Sequence, residues 1–372
     1  MDKAYKHHEE PLMRITARSD MPAGRAWIIR VLAIVFALVV GGLVILSLGH
    51  NPFSVYADMV RGSLATRTAR IETVKIAVPL LGAALAITPA FKMKFWNIGA
   101  EGQIMAGAIA ASYFALYWYK VLPGPLLILV MLVAGAVAGG IWGVIPAIFK
   151  AKWGVNETLF TLMFNYIIIG FEKYLQNGPW IKEGTTYPKI DMFNQAARLP
   201  KVLGVHVGWI AVLVLTVLMF FYLKYTKQGY EISVVGESVR TAQYAGMNVK
   251  KVIIRTMIIS GVISGIVGFL IVSGADYTLN ENTSGGIGFT AISVAWLARL
   301  NPFVMVFISA FLAILSKGSN TIQTDFKIPA SAASVLTGII LLCMLGGEFF
   351  VNYKLIFRHK KHAELPKGGE EA

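Results

Sequence analysis

An all-α, polytopic membrane fold of about ten transmembrane helices, with an inverted repeat and broken helices, is predicted by three observations. Of 372 residues, 56% are hydrophobic and only 15% charged, where soluble domains carry roughly 25% charge. Long apolar runs recur along the chain, many of them matching the roughly 20 helical residues that cross a 30 Å hydrocarbon core. Two glycine-bearing segments, 98–106 and 287–295, echo one another with Ile-Gly at the start and alanine at the end.

Taken in order, the runs fall at 30–48, 75–91, 103–119, 125–149, 157–174, 208–225, 256–275, 287–297, 303–315 and 329–353. The first follows a polar, basic stretch without a small-residue cleavage site and is expected to be a retained span. The eighth and ninth are too short to cross upright, which predicts broken or re-entrant helices sheltered by protein. A membrane domain over 30–353 is thus expected between tails at 1–29 and 354–372. Two connections are long: 175–207, expected outside, and 224–255, expected in the cytoplasm.

Orientation follows loop charge. With an even number of crossings, one side holds Lys3, Lys6, Arg14, Arg18, Arg25, Lys92, Lys94, Lys150, Lys152, Lys354, Arg358, Lys360 and Lys361, and that side is expected to be cytoplasmic, with both termini there. The other side carries Arg61, Arg67, Arg70, Lys182, Lys189, Arg198 and Lys201, so an odd number of crossings stays open. The net charge of +14 is spread between spans rather than along an aromatic-rich stripe, which speaks against a nucleic-acid partner. With Cys343 alone, no intrachain disulfide can form.

Small residues recur at helix-packing spacing. Gly135, Gly139 and Gly143 in the fourth run, and Gly261 with Gly265 in the seventh, let backbones approach closely in lipid. Polar residues concentrate in two places. In FWNIGAEGQIMAG, Asn97, Glu101 and Gln103 can cap the following helix, and can also line a solute path, since ionisable groups at membrane depth face cavities. In WGVNETLFTLMFNY, Asn156, Glu157, Thr158, Thr161 and Asn165 make a polar stripe at helical spacing that lipid cannot accept. It faces neighbouring helices or a water-filled pathway. The echo segment adds Thr290 and Ser293 to the pathway candidates. Because the two echo copies lie an odd number of crossings apart, they enter from opposite faces, as broken helices of inverted repeats do.

Other chemistries find little support. There is no HExxH motif, and His7, His8, His50, His206, His359 and His362 fall in tails or loops, so no metal site is expected. No P-loop motif occurs, so the chain is expected to bind no nucleotide itself and to be no enzyme. An ion-coupled secondary transporter remains an alternative, although Glu101, Glu157, Asp276 and Glu348 lie near span ends rather than deep within spans.

Four blocks in this order, FWNIGAEGQ, NETLFTLMFNY, GYEISVVGESVRTAQYAGMNVKKV and GGIGFTAISVAWLARLNPF, resemble the integral membrane permeases of bacterial ABC importers for simple sugars and nucleosides, the ribose-type, branched-chain-like family. The likeness spans about 51–342 and is nearest the nucleoside branch. It implies a ten-span permease with inverted repeats, paired with a second permease subunit, identical or different, within membrane lipid. It further implies a cytoplasmic ABC ATPase that carries ATP and Mg, and an extracytoplasmic substrate-binding lipoprotein. By the same resemblance, 236–246 is the coupling segment, with Gly236, Arg240 and Gly246 in it and Val239, Ala242 and Ala245 facing the ATPase. Glu237 departs from the asparagine often found there. The expected cargo is a nucleoside, with ribose or another simple sugar as the alternative.

Overall fold

Most helices begin at caps that the sequence supplies. Asn51, Thr66, Asn156, Thr226, Ser238, Asn248 and Asn301 each accept a main-chain N–H from the first turn that follows, satisfying donors a helix start leaves open. The computed structural model describes residues 13–17, 21–182, 184–185 and 187–357. Lys3, Lys6, Arg18, Arg358, Lys360 and Lys361, with His7, His8, His359 and His362, lie outside the described residues.

The helices are α1 Ala23–Ser47, α2 Pro52–Leu64, α3 Arg67–Lys92, α4 Ala100–Tyr117, α5 Gly124–Trp153, α6 Glu157–Asn177, α7 Gly208–Tyr225, α8 Lys227–Glu237, α9 Val239–Tyr244, α10 Val249–Leu270 with a π turn Ile271–Asp276, α11 Ile287–Leu297, α12 Pro302–Asp325 and α13 Ala330–Asn352. This is an all-α polytopic membrane fold. Among the described residues, α1, α3, α5, α7, α10 with its π turn, α12 and α13 are long and apolar enough to cross a membrane. Polar side chains dilute α4 and α6, and α11 has 11 residues, as short as expected.

Several expectations about the elements are corrected. The ninth run, read as 303–315 and too short, is part of the 24-residue α12. Hydropathy falls at Lys317, Ser319 and Asn320, but the helix continues because Ser319 is buried and its hydroxyl donates to the Ala333 carbonyl at 2.8 Å. The second run begins at Arg67 rather than Lys75, since Thr66 caps it. The loop 224–255 is largely helical, holding α8 and α9, and α2 precedes α3 where no element was expected.

The chain divides into two units. In the first, 1–42 with 338–372, the strands Met13–Ala17 and Tyr353–Phe357 pair antiparallel, Met13 opposite Phe357. Within it Arg30 Nε donates to Glu348 Oε2 at 3.0 Å, so two charges on apolar helices neutralise each other.

The second unit, 43–337, is organised around α3 and α10, which pack on one another. Helix α5 packs on α10 as α12 packs on α3, and α4 packs on α10 as α11 packs on α3. Exchanging α3 with α10, α4 with α11 and α5 with α12 therefore maps these contacts onto themselves. On the α5–α10 side the contact is backbone to backbone: a Cβ on Gly265 would strike the Gly135 carbonyl, one on Gly139 the Gly261 carbonyl, and one on Gly107 the Gly265 backbone. Helix starts correct the echo register, because the N-cap residues of α4 and α11 are Gly99 and Gly286. Matching these displaces the Ile-Gly alignment by two residues.

The connection between α6 and α7 is stitched to the π turn. Leu199 N donates to the Ser273 carbonyl at 2.9 Å, Ser273 Oγ donates to the Ala197 carbonyl at 2.6 Å, and Phe193 N donates to the Tyr277 carbonyl at 2.7 Å. His206 is buried against Gly208 and Gly274, where a side chain would collide with its ring, and neither ring nitrogen has a partner among the described residues. Burial, helped by Lys75, pushes its pKa down to about 4.

Two predictions follow from this packing. Gly265→Val should destabilise the purified protein by about 1–3 kcal/mol through overpacking, lowering its thermal transition in detergent. Gly170→Ala on α6, where a Cβ meets nothing, should not lower it. For His206, the unfolded imidazole protonates near pH 6.5 and the folded one only near 4, so the unfolded state binds more protons between these values. Stability should hold above pH ~6.5 and fall by about 3 kcal/mol on acidification to pH 4. His206→Gln should flatten that slope in unfolding curves taken across pH.

Candidate functional site

The polar residues of FWNIGAEGQ meet where two short helices start. Past Lys92 the chain turns through Lys94, at φ 59°, and enters α4 at Gly99, which has no side chain to cap it. Neighbours supply what is missing. Asn97 Oδ1 accepts the Gly99 N–H at 3.0 Å, while its Nδ2 donates to Ser260 Oγ of α10 at 3.1 Å. Gln103 and Asn97 exchange amide hydrogen bonds at 3.4 Å. From α6, Asn165 Oδ1 accepts the Gly102 N–H at 2.9 Å and its Nδ2 donates to the Ile98 carbonyl at 3.0 Å.

Glu101 reaches the other way. Its Oε1 accepts the Gly286 N–H at 2.8 Å and its Oε2 the Gly288 N–H at 2.7 Å, so it caps α11 while lying in the first turn of α4. A Cβ on Gly288 would run into the Glu101 backbone, which shows how closely the two helix starts abut. Each N-terminus carries a partial positive charge, and one carboxylate faces both.

The structure thus gathers Asn97, Glu101, Gln103, Thr161 and Asn165, none more than 3% exposed. Thr161 packs on Gly99 and donates to the Glu157 carbonyl at 2.7 Å. The other candidates do different work. Asn156 is the exposed cap of α6, and Glu157 pairs with Lys150 at 2.7 Å. On α11, Thr290 bonds the Gly286 carbonyl at 3.1 Å, and Ser293 is half-buried one turn further on. Sequence reading missed Ser260, which looked like a flank of the glycine stripe. It also missed Glu172 of α6, whose buried carboxylate has no hydrogen-bond partner among the described residues. The signal for Glu172 was a lone acid after an apolar stretch, YIIIGFE.

Residues 69–345 match the family described as branched-chain amino acid transport system / permease component. The chain belongs to this family. It is 29% identical to a glucose ABC transporter permease of Haloferax volcanii, over 92% of this chain and 93% of that protein. At the same identity it matches a nucleoside ABC transporter permease of Lactococcus lactis, over 89% and 92%, and a guanosine ABC transporter permease of Bacillus subtilis, over 85% and 92%. It is a permease subunit of an ABC transport system, a multi-pass membrane protein.

The segment 236–246, which the resemblance assigns to coupling, holds the end of α8 and the six-residue α9, in keeping with a short helix bounded by Gly236 and Gly246. At the end of α8, Gly236 is buried, and a Cβ there would strike the Lys92 carbonyl, so α8 presses directly on the turn that leads into α4. Ser238 then caps α9, its Oγ accepting the Thr241 N–H at 3.2 Å. One assigned contact is corrected: Ala242 is fully buried, its methyl small enough to let α9 lie on α8 and α10. The accessible face carries Val239, Arg240, Ala245 and Gly246, with Tyr244, which the sequence reading passed over, 92% exposed.

Glu101 gives the sharpest prediction. Glu101→Ala leaves two buried N–H groups without acceptors, and should cost about 2–5 kcal/mol in thermal unfolding of the detergent-purified permease. Glu101→Gln keeps one acceptor oxygen and should lose less.

Proposed function

We propose that this permease carries nucleosides into the cell across the cytoplasmic membrane, driven by ATP hydrolysed with Mg on a separate cytoplasmic ABC ATPase. The observation that carries the cargo is the pair of relatives named for nucleoside and guanosine transport, each matched over more than four-fifths of this chain. The family description names branched-chain amino acids, but relatives matched end to end carry other names, so the description does not fix the cargo. The Haloferax relative, named for glucose, supports a simple sugar as the second reading.

Ten crossings, by α1, α3, α4, α5, α6, α7, α10, α11, α12 and α13, fit the helix list. Pairing of the strand before α1 with the strand after α13 supports an even count, since it brings both ends of the membrane domain to one face. The basic residues favour the cytoplasm for that face. A second permease subunit, alike or different, and an extracytoplasmic substrate-binding lipoprotein complete the assembly.

The exposed face of α9 meets the ATPase in this reading. Movement there passes through Gly236 to the end of α3, and from there along the turn to Asn97 and Glu101. ATP binding biases the permease between states by favouring one placement of α8 and α9. The solute path runs beside the α4–α11 junction, whose amides and hydroxyls suit a neutral, hydrogen-bonding cargo and whose Glu101 is neutralised by two helix ends.

Uptake of labelled adenosine, guanosine, uridine, ribose and glucose into vesicles holding the whole transporter tests this, with the ATPase intact or disabled. Nucleoside uptake is expected only with the active ATPase. Uptake that survives its loss would overturn the mechanism, and sugar uptake alone would overturn the cargo. Arg240→Glu and Tyr244→Ala should lower uptake about 10-fold, roughly 1.4 kcal/mol of lost coupling, with the amount of permease in the membrane unchanged.

A further inference from the structure

At the far end of α4 from the junction lies a cleft of about 460 Å³, between the C-terminal turn of that helix and the chain that follows α6. One wall is aromatic: Tyr117 and Tyr119 come from the end of α4, and Trp180 from the loop, with the Tyr117 and Trp180 rings 6.4 Å apart at 64°. The other wall is polar. Lys182 Nζ pairs with Asp191 Oδ1 at 2.5 Å, which leaves the second carboxylate oxygen to accept from a ligand. Asn194 Oδ1 accepts the Ala196 N–H at 3.1 Å, which leaves its amide N–H groups to donate.

Aromatic side chains at a membrane boundary commonly form a belt for lipid headgroups. Two features set this cleft apart. Its volume lies within the roughly 300–1,000 Å³ range of small-molecule sites, and the lining that carries the aromatic rings also carries a hydrogen-bond acceptor and a donor. Faces of other helices show a different chemistry: α5 and α7 expose Leu129, Val133, Val137, Val214 and Leu218, the aliphatic surface that lipid chains prefer.

We propose that this cleft is an entry subsite for the nucleoside, in which the base stacks on Trp180 or Tyr117 while Asp191 and Asn194 bond the ribose hydroxyls. A flat heteroaromatic ring joined to a polyol can stack face to face on the aromatic rings and bond the polar groups, whereas a saturated sugar offers the rings only its C–H face. The inference rests on the nucleoside reading above. It adds selection by the permease itself to whatever the delivering lipoprotein provides.

The test uses the permease–ATPase complex in nanodiscs without the lipoprotein, with equilibrium binding of labelled adenosine, guanosine and uridine and with ribose and glucose as competitors. Saturable nucleoside binding that neither sugar displaces is expected. Trp180→Ala should weaken it about 10-fold, the scale of one lost base–aromatic stack. Trp180→Phe should retain most of it, and Asp191→Asn should weaken it without changing the preference among bases. Absence of saturable binding, or unchanged affinity in both Trp180→Ala and Asp191→Asn, overturns the subsite. If the unaltered complete transporter still takes up nucleosides with ATP in that case, the proposed function stands and only the subsite falls; if it takes up none, both fall.

Discussion

Two helix N-termini that face each other within a membrane protein must find an anion or separate, and here they find Glu101. Each start presents N–H groups with no partner inside its own helix and about half a unit of positive charge, with no bulk water to screen it. Because Glu101 belongs to α4 and bonds Gly286 and Gly288 at the start of α11, the same side chain compensates both ends. Gly286 and Gly288 are required beside it, since a Cβ on Gly288 would strike the Glu101 backbone and Gly286 holds a φ of 75°, while a Cβ on Gly99 would crowd Thr161 of α6. At the start of α4 the Gly99 N–H goes to Asn97, itself bonded to Ser260, and the Gly102 N–H to Asn165, so α10 and α6 are drawn to the same point.

The two sides of this junction differ in stiffness. Toward α5 and α10, glycines bring backbones into direct contact, and any sliding would force carbonyls into neighbouring Cα atoms. Toward the chain preceding α4, contact is made by a single turn, residues 93–99, whose base rests on Gly236 of α8. In the proposed mechanism a displacement of α8 reaches α4 through this turn, with the glycine-packed α4–α5–α10 block as the support against which it moves. A short covalent route, from Lys92 to Asn97 to Glu101, joins the exposed α9 region to the place where α4 and α11 meet.

Hydropathy made most of the helices legible because lipid and buried packing both demand apolar side chains. It failed where tertiary bonds carry a helix through polar residues. Ser319 on α12 reads as a stop, yet it bonds the Ala333 carbonyl. The amphipathic α2 and α8 have too few apolar residues to register as spans. At the junction, sequence identified Asn97, Glu101, Gln103 and Asn165 as unusual, but left open whether they line a path or tie helices. That depends on which oxygen meets which N–H across separations such as Glu101 to Gly288, and no local pattern encodes such a pairing. Ala242 shows the reverse error, because a resemblance gave the segment its role without telling which side of a six-residue helix is covered.

Cargo chemistry bears on how such a junction can serve related permeases named for glucose, nucleosides and guanosine. Its amides, hydroxyls and main-chain N–H groups are bonded to one another and its one carboxylate is engaged by two N–H groups of α11, so under the proposed path the junction places no unpaired charge beside the cargo. A site of that kind discriminates weakly between a sugar and a nucleoside, because both carry hydroxyls and neither leaves a buried ion unpaired. Discrimination then needs a feature that one cargo satisfies better, and an aromatic surface is such a feature for the flat π face of a base. In this chain Tyr117 ends α4 at the opposite end from Glu101, with the Trp180 ring against it, so the proposed selective cleft and the proposed coupling route lie at the two ends of one helix.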